Sequence, residues 1–221
     1  MNGVIRQLVL KDLYFARGVM LGAIALALIS IPLLALGQMG RFSAMILTIF
    51  AGAAPSAFIC GMLIVTERKE RANLFSLSLP VSGRQMLIAK ILAAAAAYLL
   101  PWIVLLVGTF LLFTARHAPM GLLPFGTMLW VFLLDEFCLT LAVAVSTRGE
   151  PWYTIAVLGC SLGISFYIFS FLSIPSLSAQ LPGVTAVWSP FVLRVIAVEA
   201  LVAVAFALFI GWQLARRTDF I

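Results

Sequence analysis

The sequence predicts an all-α integral membrane protein that crosses the bilayer six times. Three observations carry that expectation: a composition too apolar for water, six apolar stretches of spanning length, and no strand-like alternation within them. Of the 221 residues, 64% are hydrophobic and 10% charged, against about half and about a quarter in an ordinary soluble domain. Too little polar material remains to coat a globule of this size. Three cysteines cannot build a disulfide framework in so long a chain. The hydrophobicity excludes disorder, and the scarcity of charge excludes a basic nucleic-acid binder, so no nucleic-acid partner is expected.

A helix needs about 20 mainly apolar residues to cross the hydrocarbon core. The qualifying stretches are Val19–Gly37, Phe42–Thr66, Met86–Thr114, Leu122–Ser146, Trp152–Ile174 and Pro190–Leu214. None alternates with the period of two that a barrel strand requires, which leaves helices as the spanning element. The first stretch ends in Ala35-Leu36-Gly37, which has the small-x-small look of a cleavage site. Its apolar run exceeds the roughly 7–15 residues of a signal-peptide core, so it is read as a retained span.

Positive charge sets the expected orientation. Arg6, Lys11 and Arg17 precede the first span, and Arg68, Lys69, Arg71, Arg84 and Lys90 lie between the second and third. Arg148 separates the fourth from the fifth, and Arg216 and Arg217 follow the last. The opposite side receives Arg41, Arg116 and Arg194. Both termini are therefore expected in the cytoplasm. Trp152 and Tyr153, Trp188 and Trp212 stand at span ends, as an interfacial aromatic belt would.

The whole chain, 1–221, reads as one transmembrane domain with three notable segments outside the spans. In segment 1–18, Val4, Ile5, Leu8, Val9 and Leu13 recur at helical spacing opposite Arg6, Gln7, Lys11 and Arg17. That pattern predicts an amphipathic interfacial helix, or a plain extension of the first span. In segment 67–85, Glu67 stands four residues before Arg71, spacing that allows an ion pair on a short helix. Leu74 and Leu77 share a face, Pro80 stops the helix, and Ser82 can cap a new one running into the third span. Such a knob suits docking of a soluble partner; a solvated loop with an interfacial helix is the plainer reading. Segment 171–189 is apolar, free of charge and broken by Pro175, Pro182 and Gly183, which predicts a re-entrant outer element.

The second of these segments carries a resemblance. Leu77, Pro80, Val81, Ser82, Arg84 and Lys90, with Glu67 upstream, resemble the first cytoplasmic loop of ABC-2 type transporter permeases. The amphipathic start, six spans and cytoplasmic termini fit the same family across nearly the whole chain. The resemblance implies an ABC-2 (type V exporter-like) fold in the plasma (inner) membrane and the permease half of an ATP-driven exporter. Its partners would be a second permease chain, identical or related, a cytoplasmic ABC ATPase subunit, and membrane lipid. Glu67, Glu70, Arg71, Leu74, Leu77, Pro80 and Arg84 would then form the coupling helix and its surroundings, and segment 1–18 the connecting helix. The cargo would be hydrophobic or amphipathic.

No Gly-x-x-x-x-Gly-Lys-Ser/Thr loop occurs in the sequence, so ATP and magnesium would belong to the partner ATPase and this chain would be non-catalytic. His117 is the single histidine and has no second ligand for a haem or metal. Cys60, Cys138 and Cys160 lie in separate spans and read as buried, unreactive thiols.

Three acids fall inside spans: Asp135 and Glu136 in the fourth, Glu199 in the sixth. Each costs about 2.5–3.5 kcal/mol when ionised at the centre of the bilayer. Either they face a wet path, recognising a cation or carrying a proton, or they are interhelical glue hydrogen-bonded by residues such as Thr140 or Tyr98. Adjacent helical positions point about 100° apart, so Asp135 and Glu136 should serve different neighbours. Gly18 and Gly22, and Gly159 and Gly163, have the spacing that lets helix backbones approach. They are candidates for packing between protomers, or within one. Gly52, Ser56 and Cys60 make a similar stripe on the second span. Other classes compatible with the sequence are a haem-exporter-type permease, a proton-coupled secondary transporter using the three acids, and a membrane scaffold.

Overall fold

The computed structural model describes residues 3–67, 82–115, 117–147 and 149–216. Six long helices dominate: α1 (Gly3–Leu33), α2 (Gly37–Cys60), α3 (Gly83–Thr114), α4 (Leu122–Ser146), α5 (Glu150–Leu172) and, after the one-turn α6 (Pro175–Ser178), α7 (Pro190–Arg216). No strand occurs among the described residues. All six long helices are long and apolar enough to span a bilayer.

Segment 1–18 does not form a separate helix, because α1 runs unbroken from Gly3 to Leu33. Gly18 and Gly22 do not break it, since a helical glycine costs only about 1 kcal/mol, and Pro32 comes only in its last turn. At 1.5 Å per residue α1 is about 46 Å long, so its first turns project beyond a core of about 30 Å. The predicted amphipathic division is present: Ile5, Leu8, Val9 and Leu13 are half-buried while Arg6, Gln7, Lys11 and Arg17 are exposed. Val9 and Leu13 pack on the protein's own core rather than facing outward.

Small residues set how closely the helices approach. Asp12, Ala16, Ala23, Ala27 and Ser30 make the buried stripe of α1, which lies along α3 and α2. On α3 the matching positions include Ala89, Ala93, Ala94 and Ala97. Alanine-on-alanine packing brings backbones close enough for dispersion to hold helices together where lipid offers no hydrophobic gain. α4 sits at the centre, with 61% of its spanning window buried, against 11% for α5 and for α7.

The Gly52, Ser56 and Cys60 stripe of α2 faces α4. A Cβ on Gly52 would come 2.6 Å from Leu133 Cδ1, Ser56 Oγ lies 3.3 Å from Glu136 Oε1, and Thr140 reaches Cys60 Sγ at 4.0 Å. One turn after another, small or polar residues on α2 meet larger partners on α4. The α3–α4 seam is tied by Tyr98, whose hydroxyl donates to the Leu133 carbonyl at 2.7 Å and whose ring stacks on Phe137 at 4.1 Å. Trp102 Nε1 donates to the Trp130 carbonyl at 3.1 Å.

Tyr153 is no belt residue. It is 8% exposed, and its hydroxyl donates to the Ala57 carbonyl on α2. Trp152, beside it, is 65% exposed as a belt residue should be. Arg216 stacks over Trp212 at 4.1 Å and Arg17 over Tyr14 at 3.9 Å, so both remain attached to aromatic faces.

Candidate functional site

The first turns of α1, the end of α2 and the first turns of α3 converge on a cluster of four charges. Local sequence positions each of them. Ser82 caps α3: its hydroxyl accepts from the Gln85 backbone N–H at 3.3 Å, and its own N–H donates to Gln85 Oε1 at 3.1 Å. This capping box fixes where α3 starts, and two turns later Lys90 points inward. α2 changes pitch over its last turns, Gly61–Thr66, into a π-helix. Lys90 Nζ donates to the Leu63 carbonyl within those turns at 2.8 Å. Pitch changes of this kind re-aim carbonyls and side chains at functional positions.

Lys90 Nζ is bonded to Glu67, just past the π-helical turns, and lies 3.7 Å from Asp12 Oδ2 on α1. Lys11 closes the set, 3.3 Å from Asp12 Oδ1 and 3.7 Å from Glu67 Oε1. Two cations thus balance two carboxylates across three helices. The side chains of Lys90 and Asp12 are 2% and 3% exposed, whereas Lys11 is 45% exposed. The cluster is therefore sealed on the bundle side and open on the other. A buried pair of this kind contributes little net stability, but removing one member strands its partner, at about 3–5 kcal/mol.

Glu67 and Lys90 are named in the sequence pattern; Asp12 and Lys11 as their partners are not. The expected partner of Glu67 was Arg71. Among the described residues Glu67 pairs with Lys90 and Lys11; Arg71 lies outside them, and the expected Glu67–Arg71 pair with it, as do Glu70, Leu74, Leu77 and Pro80. Arg84 is exposed on the first turn of α3.

The intramembrane acids separate as the helical geometry requires. Glu136 is buried and accepts from Ser56. Glu199, also buried, accepts from the Tyr167 hydroxyl at 2.5 Å. Asp135 is half-buried, turned about 100° from Glu136 and near enough to Tyr167 and Glu199 to interact electrostatically. Tyr98 and Thr140 are not the donors. Tyr98 is spent on the Leu133 carbonyl, and Thr140 bonds the Phe137 carbonyl one turn back at 3.0 Å, a habit of threonine inside helices. At Glu136 the single Ser56 proton is shared with the Ala53 carbonyl, which lies closer at 2.7 Å, whereas Glu199 joins two helices through one bond, which is the geometry of interhelical glue.

That assignment has a measurable consequence. Tyr167→Phe removes the donor from a buried carboxyl and should destabilise the protein by about 1–3 kcal/mol. Glu199→Gln keeps an acceptor for Tyr167 and should melt within a few degrees of the wild type. Fluorescence-detected thermal melts in detergent read both.

A Cβ on Gly18, Gly22 or Gly159 would meet nothing within 4 Å, and one on Gly163 only the Phe132 ring edge at 3.9 Å. Among the described residues, then, Gly18, Gly22 and Gly159 face open space, and Gly163 touches only Phe132. The neighbouring faces carry Leu21, Leu158, Leu162 and Phe166, all exposed. His117 is exposed, and Cys60, Cys138 and Cys160 are free thiols, the first and last of them buried.

Six long apolar helices, tied inside by single hydrogen bonds and locked at one end by buried charge, define a multi-pass membrane protein. The family model for ABC-2 family transporter proteins matches residues 7–213. The chain belongs to that family. The match runs from the first turns of α1 to the last turn of α7 and includes Asp12, Glu67 and Lys90. Comparison with curated proteins and with solved structures returns no match.

Proposed function

We propose that this chain is the permease subunit of an ATP-driven ABC-2 exporter, paired with a second permease and driven by a separate cytoplasmic ATPase. The observation that carries the proposal is the charge cluster. Asp12, Glu67 and Lys90 join three helices, and Glu67 and Ser82 border segment 68–81 in sequence. A push on that segment reaches α2 through Glu67 and α3 through the Ser82 cap. Lys90 passes it to α1 through Asp12. The three helices move together because separating them exposes a buried charge. ATP binding in the partner would thus bias a two-state bundle, as coupling between distant sites requires.

The absence of a phosphate loop in the sequence supports a separate ATPase, and the positive-inside bias supports cytoplasmic termini. The open glycine faces of α1 and α5 support a second permease chain there, since close helix approach is what such faces permit. The apolar helix surfaces favour a hydrophobic or amphipathic cargo.

Purification of the tagged chain from its native membrane in mild detergent is the test. A soluble subunit carrying a phosphate loop should copurify in fixed ratio, and Leu77→Asp should release it while leaving the permease folded. Repeated purification without any ATPase would remove the proposal.

A further inference from the structure

At the end of the bundle opposite the charge cluster, Leu34 after α1, helices α2, α3 and α4, Leu172 of α5, Ser178 of α6 and the segment after it line a partly open cavity of about 610 Å3. This is within the range of about 300–1,000 Å3 typical of small-molecule sites. We propose that it binds one anionic phospholipid, with an acyl chain in the cavity and the phosphate on Arg41.

The walls are mainly apolar, with Phe42, Met45, Phe113, Phe125 and Leu129 among the lining residues. Among the described residues Arg41 is the one charged residue that lines it, and Gln38 stands one turn before on the same face of α2. Arg41 Nε is shielded from solvent and has no hydrogen-bond partner among the described residues. A guanidinium cannot shed its charge to relieve that situation. It needs an acceptor, and a phosphate oxygen suits its planar fork better than any neutral group. Phe42, which lines the cavity, is 58% exposed and Met39 nearby on α2 is 82% exposed, so this wall of the cavity reaches the outer surface of the bundle. A molecule entering from there must be apolar along most of its length and anionic at one end. An anionic phospholipid meets both conditions and is supplied by the surrounding bilayer. The inference does not depend on the ATPase reading.

Trp130 lines the cavity and is 5% exposed, so only a chain inside the cavity can touch its ring. The full chain is reconstituted in phosphatidylcholine nanodiscs containing a small fraction of brominated phosphatidylglycerol or brominated phosphatidylcholine. The emission of Trp130 is taken as the difference from Trp130→Phe. That substitution leaves the Trp102 bond intact, because Trp102 donates to the backbone carbonyl at 130. Brominated phosphatidylglycerol should quench Trp130 at a several-fold lower mole fraction than brominated phosphatidylcholine. Arg41→Gln should abolish the preference and Arg41→Lys should keep most of it. Gly126→Leu, which fills the cavity beside Trp130, should remove quenching by both lipids. No quenching of Trp130, or equal quenching by the two lipids that Arg41→Gln leaves unchanged, would overturn the proposal. Relief of quenching by millimolar inorganic phosphate with no effect of chain length would also overturn it, by showing an anion site without a lipid.

Discussion

Lys90→Met is expected to cost about 3–5 kcal/mol, because it removes the buried cation between Asp12 and Glu67 and leaves the two carboxylates only Lys11, which is 45% exposed. The Leu63 carbonyl in the π-helical turns loses its donor at the same time. In detergent the loss should appear as a fall of about 10 °C in apparent melting temperature. Lys90→Arg should recover only part of it, since a planar fork cannot copy the contacts of a compact ammonium in a closed space. The informative variant is the triple Asp12→Leu, Glu67→Met, Lys90→Met. Replacing a buried ionic group as a whole by apolar residues of similar size is often neutral or stabilising, and Lys11 is exposed enough to turn to solvent. The triple should therefore melt near the wild type, well above the single variant. Additive destabilisation across the three positions would mean that they do not form one electrostatic unit.

The second large effect is expected at Gly121, before α4. A Cβ there would run into the backbone oxygen of Gln180 and crowd the Gly183 nitrogen, 3.1 Å away. Backbone cannot swing aside as a side-chain tip can. Gly121 N–H also donates to the Gly183 carbonyl at 2.9 Å, the bond that pins the segment after α6 to the start of α4. Gly121→Ala should displace that segment and cost about 1–3 kcal/mol, in the range of overpacked cores. Hydrogen exchange over 176–188 should lose protection, with Leu177 drawn from its cluster with Phe125, Met128, Tyr167 and Val192. Gly211→Ala is the control, since a Cβ there meets nothing within 4 Å. Equal protection in Gly121→Ala and wild type would refute the close approach.

The spans were legible because the bilayer imposes length and apolarity residue by residue. Leu122–Ser146 is predicted and found with the same limits, and the others differ at their ends by a few residues, apart from α1 and α2, which begin earlier. The Ser82 cap was legible because hydroxyl and helix start are neighbours in sequence; its return bond from Gln85 was a local signal left unread. The charge cluster was half legible. Glu67 and Lys90 stood out within one segment, but the local rule pairs Glu67 with Arg71, four residues away, and is blind to α1. Asp12 carried a usable signal: it continues the buried line of Ala16, Ala23 and Ala27 on α1. An acid on a stripe of buried alanines needs a cation from another helix. The donors to Glu136 and Glu199 were not legible, because which tyrosine or serine reaches an acid depends on helix rotation. The π-helical turns of α2 and the proximity of Gly121 to Gln180 likewise follow from tertiary packing, which leaves no periodic trace in sequence.

The central claim is that Asp12, Glu67 and Lys90 act as one coupling unit between an ATPase and the membrane helices. ATP hydrolysis by the copurified complex in nanodiscs, compared between the wild type and the apolar triple variant, tests it most directly. The account predicts that the triple stays folded and keeps its ATPase bound, while hydrolysis falls to the rate of the isolated ATPase. Wild-type stimulation of hydrolysis by the folded triple variant would contradict it.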